Sequence, residues 1–116
     1  MSQRDWRQHA EDMVEYLGHA IEFTAGVSLE EFEANTEKYL AVSRALEIAG
    51  EAAKQVPLDV RARYPRVEWR SLAGFRDVLA HAYLYLKAEI IWDAAVSKAP
   101  QVRDELVRIL ASLPDE

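Results

Sequence analysis

At 116 residues, half of them hydrophobic and 29% charged, the chain has the size and composition of one globular domain and is too apolar to be disordered. It contains no cysteine, which excludes a disulfide framework and a thiolate metal site. The opening residues carry charge where a secretory leader needs an apolar stretch, and no run reaches membrane-spanning length, so a cytoplasmic location is expected.

Helical periodicity dominates the chain. Trp6, Ala10, Met13, Val14, Leu17, Ile21 and Thr24 recur at steps of three and four, with acids between them, and predict an amphipathic helix closed by Gly26. Ser28 and Glu31 have capping-box spacing and predict a short helix through Glu33. A second long helix is expected from Thr36 to Gln55. Its stripe of Tyr39, Val42, Leu46, Ala49, Ala53 and Val56 is joined by Ala41, Ala45, Ile48 and Ala52 on another side. Two such faces suit a central helix packed on both sides.

Pro57 ends that helix, and a short helical turn is expected between Leu58 and Tyr64, ended by Pro65. A third helix begins near Trp69 or Arg70 and runs through at least His81. A fourth covers roughly Lys87 to Lys98, with Ile90, Ile91, Ala94 and Ala95 inward. Pro100 is read as a break, after which Val102, Leu106, Leu110 and Leu113 mark a last amphipathic helix. The expectation is an all-α fold, a small antiparallel four- to five-helix bundle forming a single domain over residues 1–116.

The net charge of −6 disfavours nucleic acid when taken alone, yet its distribution points the other way. Residues 60–76 hold Arg61, Arg63, Arg66, Arg70 and Arg76 against the single acid Glu68, while both flanks are net acidic. A compact basic segment on an acidic body suits a phosphate-binding face, with Arg66 and Arg70 as candidate RNA contacts. The competing reading is that these arginines solvate a loop and pair with the acidic helices.

Chemistry concentrates in residues 76–83, Arg-Asp-Val-Leu-Ala-His-Ala-Tyr. On a helix Arg76 and Tyr83 share a face, and Asp77 and His81, four apart, can touch. Arg76 and His81 lie about 140° apart in azimuth, so they converge only if the arginine bends round or the helix ends nearby. These residue types suit RNA cleavage without a metal, because the ribose 2′-hydroxyl is a nucleophile already present in the substrate. Histidine as a residue type serves either proton role near neutral pH. Arginine offers a planar, permanently charged fork for phosphate oxygens. Asp77, accepting from the imidazole, would orient it, and Tyr83 could bond phosphate or stack on a base.

The bland readings are solvated helix for Asp77 and amphipathic packing for Tyr83. His9 and His19 read as ordinary surface residues. The three histidines show no metal-site spacing, and the four glycines are isolated, so neither a metal nor a phosphate loop is indicated. Glu51, beside Gly50 on the central helix, is either a carboxylate positioning Arg76 from a facing helix or a rim residue. On the second reading Gly50 simply admits a neighbouring helix.

The motif resembles the Arg-x-x-x-x-His-x-Tyr motif of HepT-like proteins, within the HEPN superfamily of helical ribonucleases. Arg4-Asp5-Trp6 with Asp12, the run from Glu47 to Lys54, Tyr64-Pro65 and Trp69-Arg70 resemble the family pattern in order and spacing. So do Gly74-Phe75-Arg76, Ile90-Ile91-Trp92 and Pro100. The resemblance covers nearly the whole chain. It implies a homodimer whose two motifs face each other across a cleft and cut RNA as a metal-independent endoribonuclease, without a cofactor. It implies the toxin of a toxin–antitoxin pair, partnered by a minimal nucleotidyltransferase, with Arg76 and His81 catalytic and Tyr83 the site of AMP attachment. Relatives usually carry Gly at the place of Ala82, often Gly at Tyr85 and often Asp at Lys87, so the turn after the motif departs from the pattern. The alternative is a non-catalytic helical companion of a nucleotidyltransferase, and a purely structural dimerisation domain is a third reading.

Overall fold

A computed structural model describes residues 5–82 and 86–114. Among them the chain forms α1 (Trp6–Thr24), α2 (Leu29–Glu33), α3 (Thr36–Gln55), α4 (Leu58–Arg63), α5 (Trp69–Ala82), α6 (Ala88–Asp93), a π-helical turn (Ala94–Lys98) and α7 (Ala99–Ser112), with no strand. The all-α reading therefore stands. Tyr83 and Tyr85, and the Arg4 of the opening segment, lie outside the described residues.

Each of the first three helix starts has a local cause. The Asp5 carboxylate accepts from Arg7 N at 3.0 Å and caps α1. Ser28 and Glu31 make the full reciprocal capping box at the head of α2. Asn35 caps α3 by accepting from Lys38 N at 3.0 Å. Gly26, at φ 71°, turns the chain after α1 in the left-handed region that favours glycine.

α3 is the spine, packing against both α1 and α5, while α1 also meets α7. Val42, Ala45, Leu46, Ala49, Ala52, Ala53 and Val56 are buried along it, in a core that includes Met13, Leu17, Ile91 and Leu106. The two-faced pattern is incomplete at Ala41, which is exposed, and at Ile48, which is half-buried. Ile48 borders an open hollow. Two tryptophans tie connections to the bundle: Trp92 Nε1 donates to Val27 O at 2.9 Å and Trp69 Nε1 to Tyr64 O at 3.0 Å. Tyr39 likewise donates its hydroxyl to Leu86 O at 2.7 Å, fixing the chain ahead of α6.

Pro100 does not break the helical path, contrary to the sequence expectation. It sits in the first turn of α7, and the π-helical turn Ala94–Lys98 runs directly into that helix. Proline lacks an N–H and its ring crowds the carbonyl four residues back. A turn widened by one residue relieves that crowding, so the helix changes its hydrogen-bond step instead of ending. Lys87 precedes α6 in extended conformation and makes no side-chain cap hydrogen bond, as expected of a lysine there.

Candidate active site

The site is built where α5 crosses α3, and Gly50 sets how closely they approach. A Cβ placed on Gly50 would lie 2.5 Å from Arg76 Cβ and 2.7 Å from Leu72 O, distances no side chain tolerates. Only a bare Cα lets the backbone of α5 come this near. Gly50 is therefore what brings Arg76 against α3, and it puts Glu51, the next residue, beside the guanidinium.

Four charged side chains alternate across this crossing. Arg76 Nε lies 2.8 Å from Glu51 Oε2, its Nη1 donates to Asp77 Oδ1 at 3.2 Å, and Lys54 Nζ donates to the same Asp77 oxygen at 3.0 Å. The Glu51 contact is close but off the N–H direction: neither Arg76 Nε nor Glu51 Oε2 has a hydrogen-bond partner among the described residues. Coulombic attraction holds that side of the fork, and a hydrogen bond holds the other. Lys54 first, and Arg76 second, lower the Asp77 carboxyl below its ordinary 3.8 through their hydrogen bonds. Asp77 is thus ionised at any pH near neutrality.

His81 is exposed, and its Nδ1 lies 2.8 Å from the main-chain carbonyl of Asp77. A carbonyl only accepts, so Nδ1 carries the proton of this bond and the neutral ring has its lone pair on Nε2. This corrects the expected contact in one respect. The orienting group on His81 is the Asp77 carbonyl, because the carboxylate is taken by Lys54 and Arg76. Asp77 consequently organises both motif residues, one through each of its oxygen-bearing groups. Arg76 keeps 26% of its side-chain surface exposed, so neither residue is sealed in the bundle.

The basic segment disperses in three dimensions. Arg61 turns inward to α3, donating to Val56 O at 2.9 Å, Ala53 O at 3.0 Å and Lys54 O at 3.1 Å. It caps the helix C-terminus, where orphan carbonyls and the negative dipole end favour a cation. Arg66 lines a hollow beside α7 with Glu105 and Arg108, whereas Arg76 lines a separate one. Arg70 is exposed on the first turn of α5, six residues and about 120° round the helix from Arg76. Arg61 therefore contributes nothing to a phosphate-binding face, and Arg66 borders a different hollow from Arg76.

Two groups matter more here than their sequence pattern suggests. Lys54 lies four residues after Gly50, one helical turn along the same face of α3, and that spacing beside Glu51 is the signal that marks it. His9, an ordinary surface residue by its neighbours in sequence, lines the hollow bounded by Arg76. Among the described residues no group of three or more His, Asp or Glu side chains gathers to hold a metal, and no helix is long and apolar enough to cross a membrane.

The chain is similar over nearly its full length to archaeal proteins carrying provisional ribonuclease names. One from Methanocaldococcus jannaschii is 35% identical over 97% of this chain and 93% of the relative, and a second from that organism is 34% identical over the whole of both. A Thermococcus cleftensis protein named as ribonuclease HepT is 32% identical over 91% of this chain and 96% of its own length. No solved structure matches. The family model described as ribonuclease HepT-like matches residues 13–109, the span that holds the Gly50–Arg76 crossing and His81, and the chain belongs to that family.

Proposed function

We propose that the protein is a metal-independent endoribonuclease that cuts RNA at a composite site in the cleft of a homodimer, as the toxin of a toxin–antitoxin pair. Family membership supports the substrate class. The observation that carries the mechanism is the double use of Asp77, whose carboxylate holds Arg76 while its carbonyl holds the Nδ1–H of His81. A guanidinium is thereby fixed for phosphate oxygens, and a basic Nε2 is left available on an exposed ring.

The 2′-oxygen attacks phosphorus as its proton passes to Nε2 of one His81. The P–O5′ bond breaks, O5′ takes a proton from a protonated imidazole, and a 2′,3′-cyclic phosphate remains. One ring cannot readily serve as base and acid in the same step, and two rings related by a twofold axis divide those roles. Arg76 of each protomer stabilises the charge gathering on the phosphoryl oxygens. Within one chain that guanidinium stands among Glu51, Asp77 and Lys54, a cluster with no net charge. What each protomer brings to the phosphate is therefore a directed donor fork and not a surplus of positive charge. Arg70, exposed at the head of α5, is a candidate contact to flanking phosphates.

The partner in this reading is a minimal nucleotidyltransferase antitoxin. An AMP attached to Tyr83, two residues from His81, adds bulk and negative charge where RNA must bind. Purified protein should cut RNA in the presence of chelator, and Arg76→Ala or His81→Ala should abolish cutting while leaving helix content unchanged. A heterodimer with a single His81→Ala subunit should lose most of its activity; half the wild-type rate refutes the division of roles. Intact RNA after incubation with AMP-free wild type would instead favour the non-catalytic companion.

A further inference from the structure

Each of the two carboxylates flanking Arg76 is tied to a second donor from α3. Glu51, 2.8 Å from Arg76 Nε, also accepts from Gln55 Nε2 at 3.4 Å. Asp77 Oδ1, 3.2 Å from Arg76 Nη1, accepts from Lys54 Nζ at the shorter distance of 3.0 Å. Lys54 and Gln55 follow Gly50 and Glu51 by four residues, so one turn of α3 supplies both ties. The two ties differ in charge. Gln55 is neutral, whereas Lys54 sets a full cation against the acid of the motif.

A lysine in the last turn of a helix ordinarily serves the negative end of the dipole. Here Arg61 already serves that end, donating to the carbonyls of Ala53, Lys54 and Val56. The ammonium of Lys54 instead crosses to α5. The two bonds on Asp77 Oδ1 hold Nζ within about 6 Å of Arg76 Nη1, near enough for each cation to feel what the other binds.

We propose that Lys54 is a positioning residue for the RNA phosphate: by holding the Asp77 carboxylate, it keeps that acid from closing on Arg76 and leaves the guanidinium to the substrate. The proposal rests on the ribonuclease reading above. Charge at the crossing supports it. Arg76 and Lys54 balance Glu51 and Asp77; without Lys54, two carboxylates face one cation and an incoming phosphate meets repulsion. The bond from Lys54 is also the first cause, ahead of the bond from Arg76, that lowers the Asp77 carboxyl below its ordinary 3.8. Lys54 thus carries more of that acid's charge than the motif arginine does.

The test uses single-stranded RNA and the full-length protein. Lys54→Met keeps an aliphatic stem and removes the charge. It should raise KM about tenfold, the effect of one unit charge some 6 Å away in partly screened surroundings, with kcat changed far less. An exposed ion pair adds little to stability, so the variant should melt close to wild type. Lys54→Arg retains charge and reach and should stay near the wild-type KM. Adding Asp77→Asn to Lys54→Met removes the uncompensated acid and should bring KM back towards wild type, although the tie between α3 and α5 stays broken. A KM unchanged in Lys54→Met, a double variant no better than the single one, or a large fall in Tm in Lys54→Met overturns the proposal, the last two being marks of a structural clip. Binding of a 2′-O-methyl RNA, which lacks the nucleophile, separates this proposal from the reading it rests on. If Lys54→Met weakens that binding by the same factor and the double variant restores it while wild type cuts no RNA, the role of Lys54 stands and the nuclease reading falls. RNA cut by Lys54→Met as by wild type removes the role and leaves the nuclease reading in place. A wild type that neither binds nor cuts RNA overturns both.

Discussion

Replacing Gly50 by alanine tests the crossing on which the site depends. The added methyl carbon would meet Arg76 Cβ at 2.5 Å and Leu72 O at 2.7 Å, whereas ordinary contact begins near 3.4 Å. Neither obstacle is the loose end of a side chain, so α5 must withdraw from α3 by roughly 1 Å, an overpacking change that costs about 1–3 kcal/mol. Alanine returns about 0.5–1 kcal/mol through its better helix propensity. The net loss is about 1–2 kcal/mol, which for a domain this size lowers Tm by roughly 5–10 °C. Urea and thermal unfolding measure it. RNA cleavage should fall further than stability does, because the retreat carries Arg76 away from Glu51 and its partners on α3. Gly74→Ala is the control, since nothing lies within 4 Å of a Cβ there. It should stabilise by about 0.5–1 kcal/mol with cleavage intact. If Gly50→Ala melts no lower than wild type and cuts RNA as well, the close approach has no part in positioning the site.

Arg61→Ala should cost about 1–3 kcal/mol, since three carbonyl bonds at the end of α3 are lost, and amide exchange around Val56 should quicken without altered RNA affinity. Ser28→Ala removes half of the capping box and should cost about 1 kcal/mol, read as a lower urea midpoint with unchanged slope. Asp77 is held below its ordinary pKa by Lys54 and Arg76, so whatever it contributes is complete above about pH 4 and fades only as pH falls through the depressed value. Tm should therefore respond to Asp77→Asn equally at pH 6 and pH 8, and the gap between variant and wild type should narrow as the solution is acidified well below that range. A gap that widens on acidification contradicts the ion cluster.

Local order is legible in the sequence because it is written locally. The capping pair Ser28 and Glu31 lies three residues apart, the apolar stripe of α1 repeats at helical steps, and Pro57 separates α3 from α4 where expected. Each of those signals acts through the backbone of its own segment, so no partner helix is needed to read it. The family motif is legible for the same reason, as a string of residue types at fixed spacing.

What the sequence determined by itself, then, was helical class, most helix limits and the residues able to do chemistry. Tertiary structure decided which of them meet. Arginines close together in the chain separated, because Arg61 found the open carbonyls of α3 while Arg66 fell beside α7 and Arg76 against Glu51. Asp77 gave its carboxylate to Lys54, twenty-three positions away, and so met His81 through its carbonyl. Pro100 kept its helix because the turn before it widened. In each case the outcome depends on the distance and angle between packed helices, and a one-dimensional pattern carries no record of that geometry until a contact such as Gly50 on Arg76 fixes it.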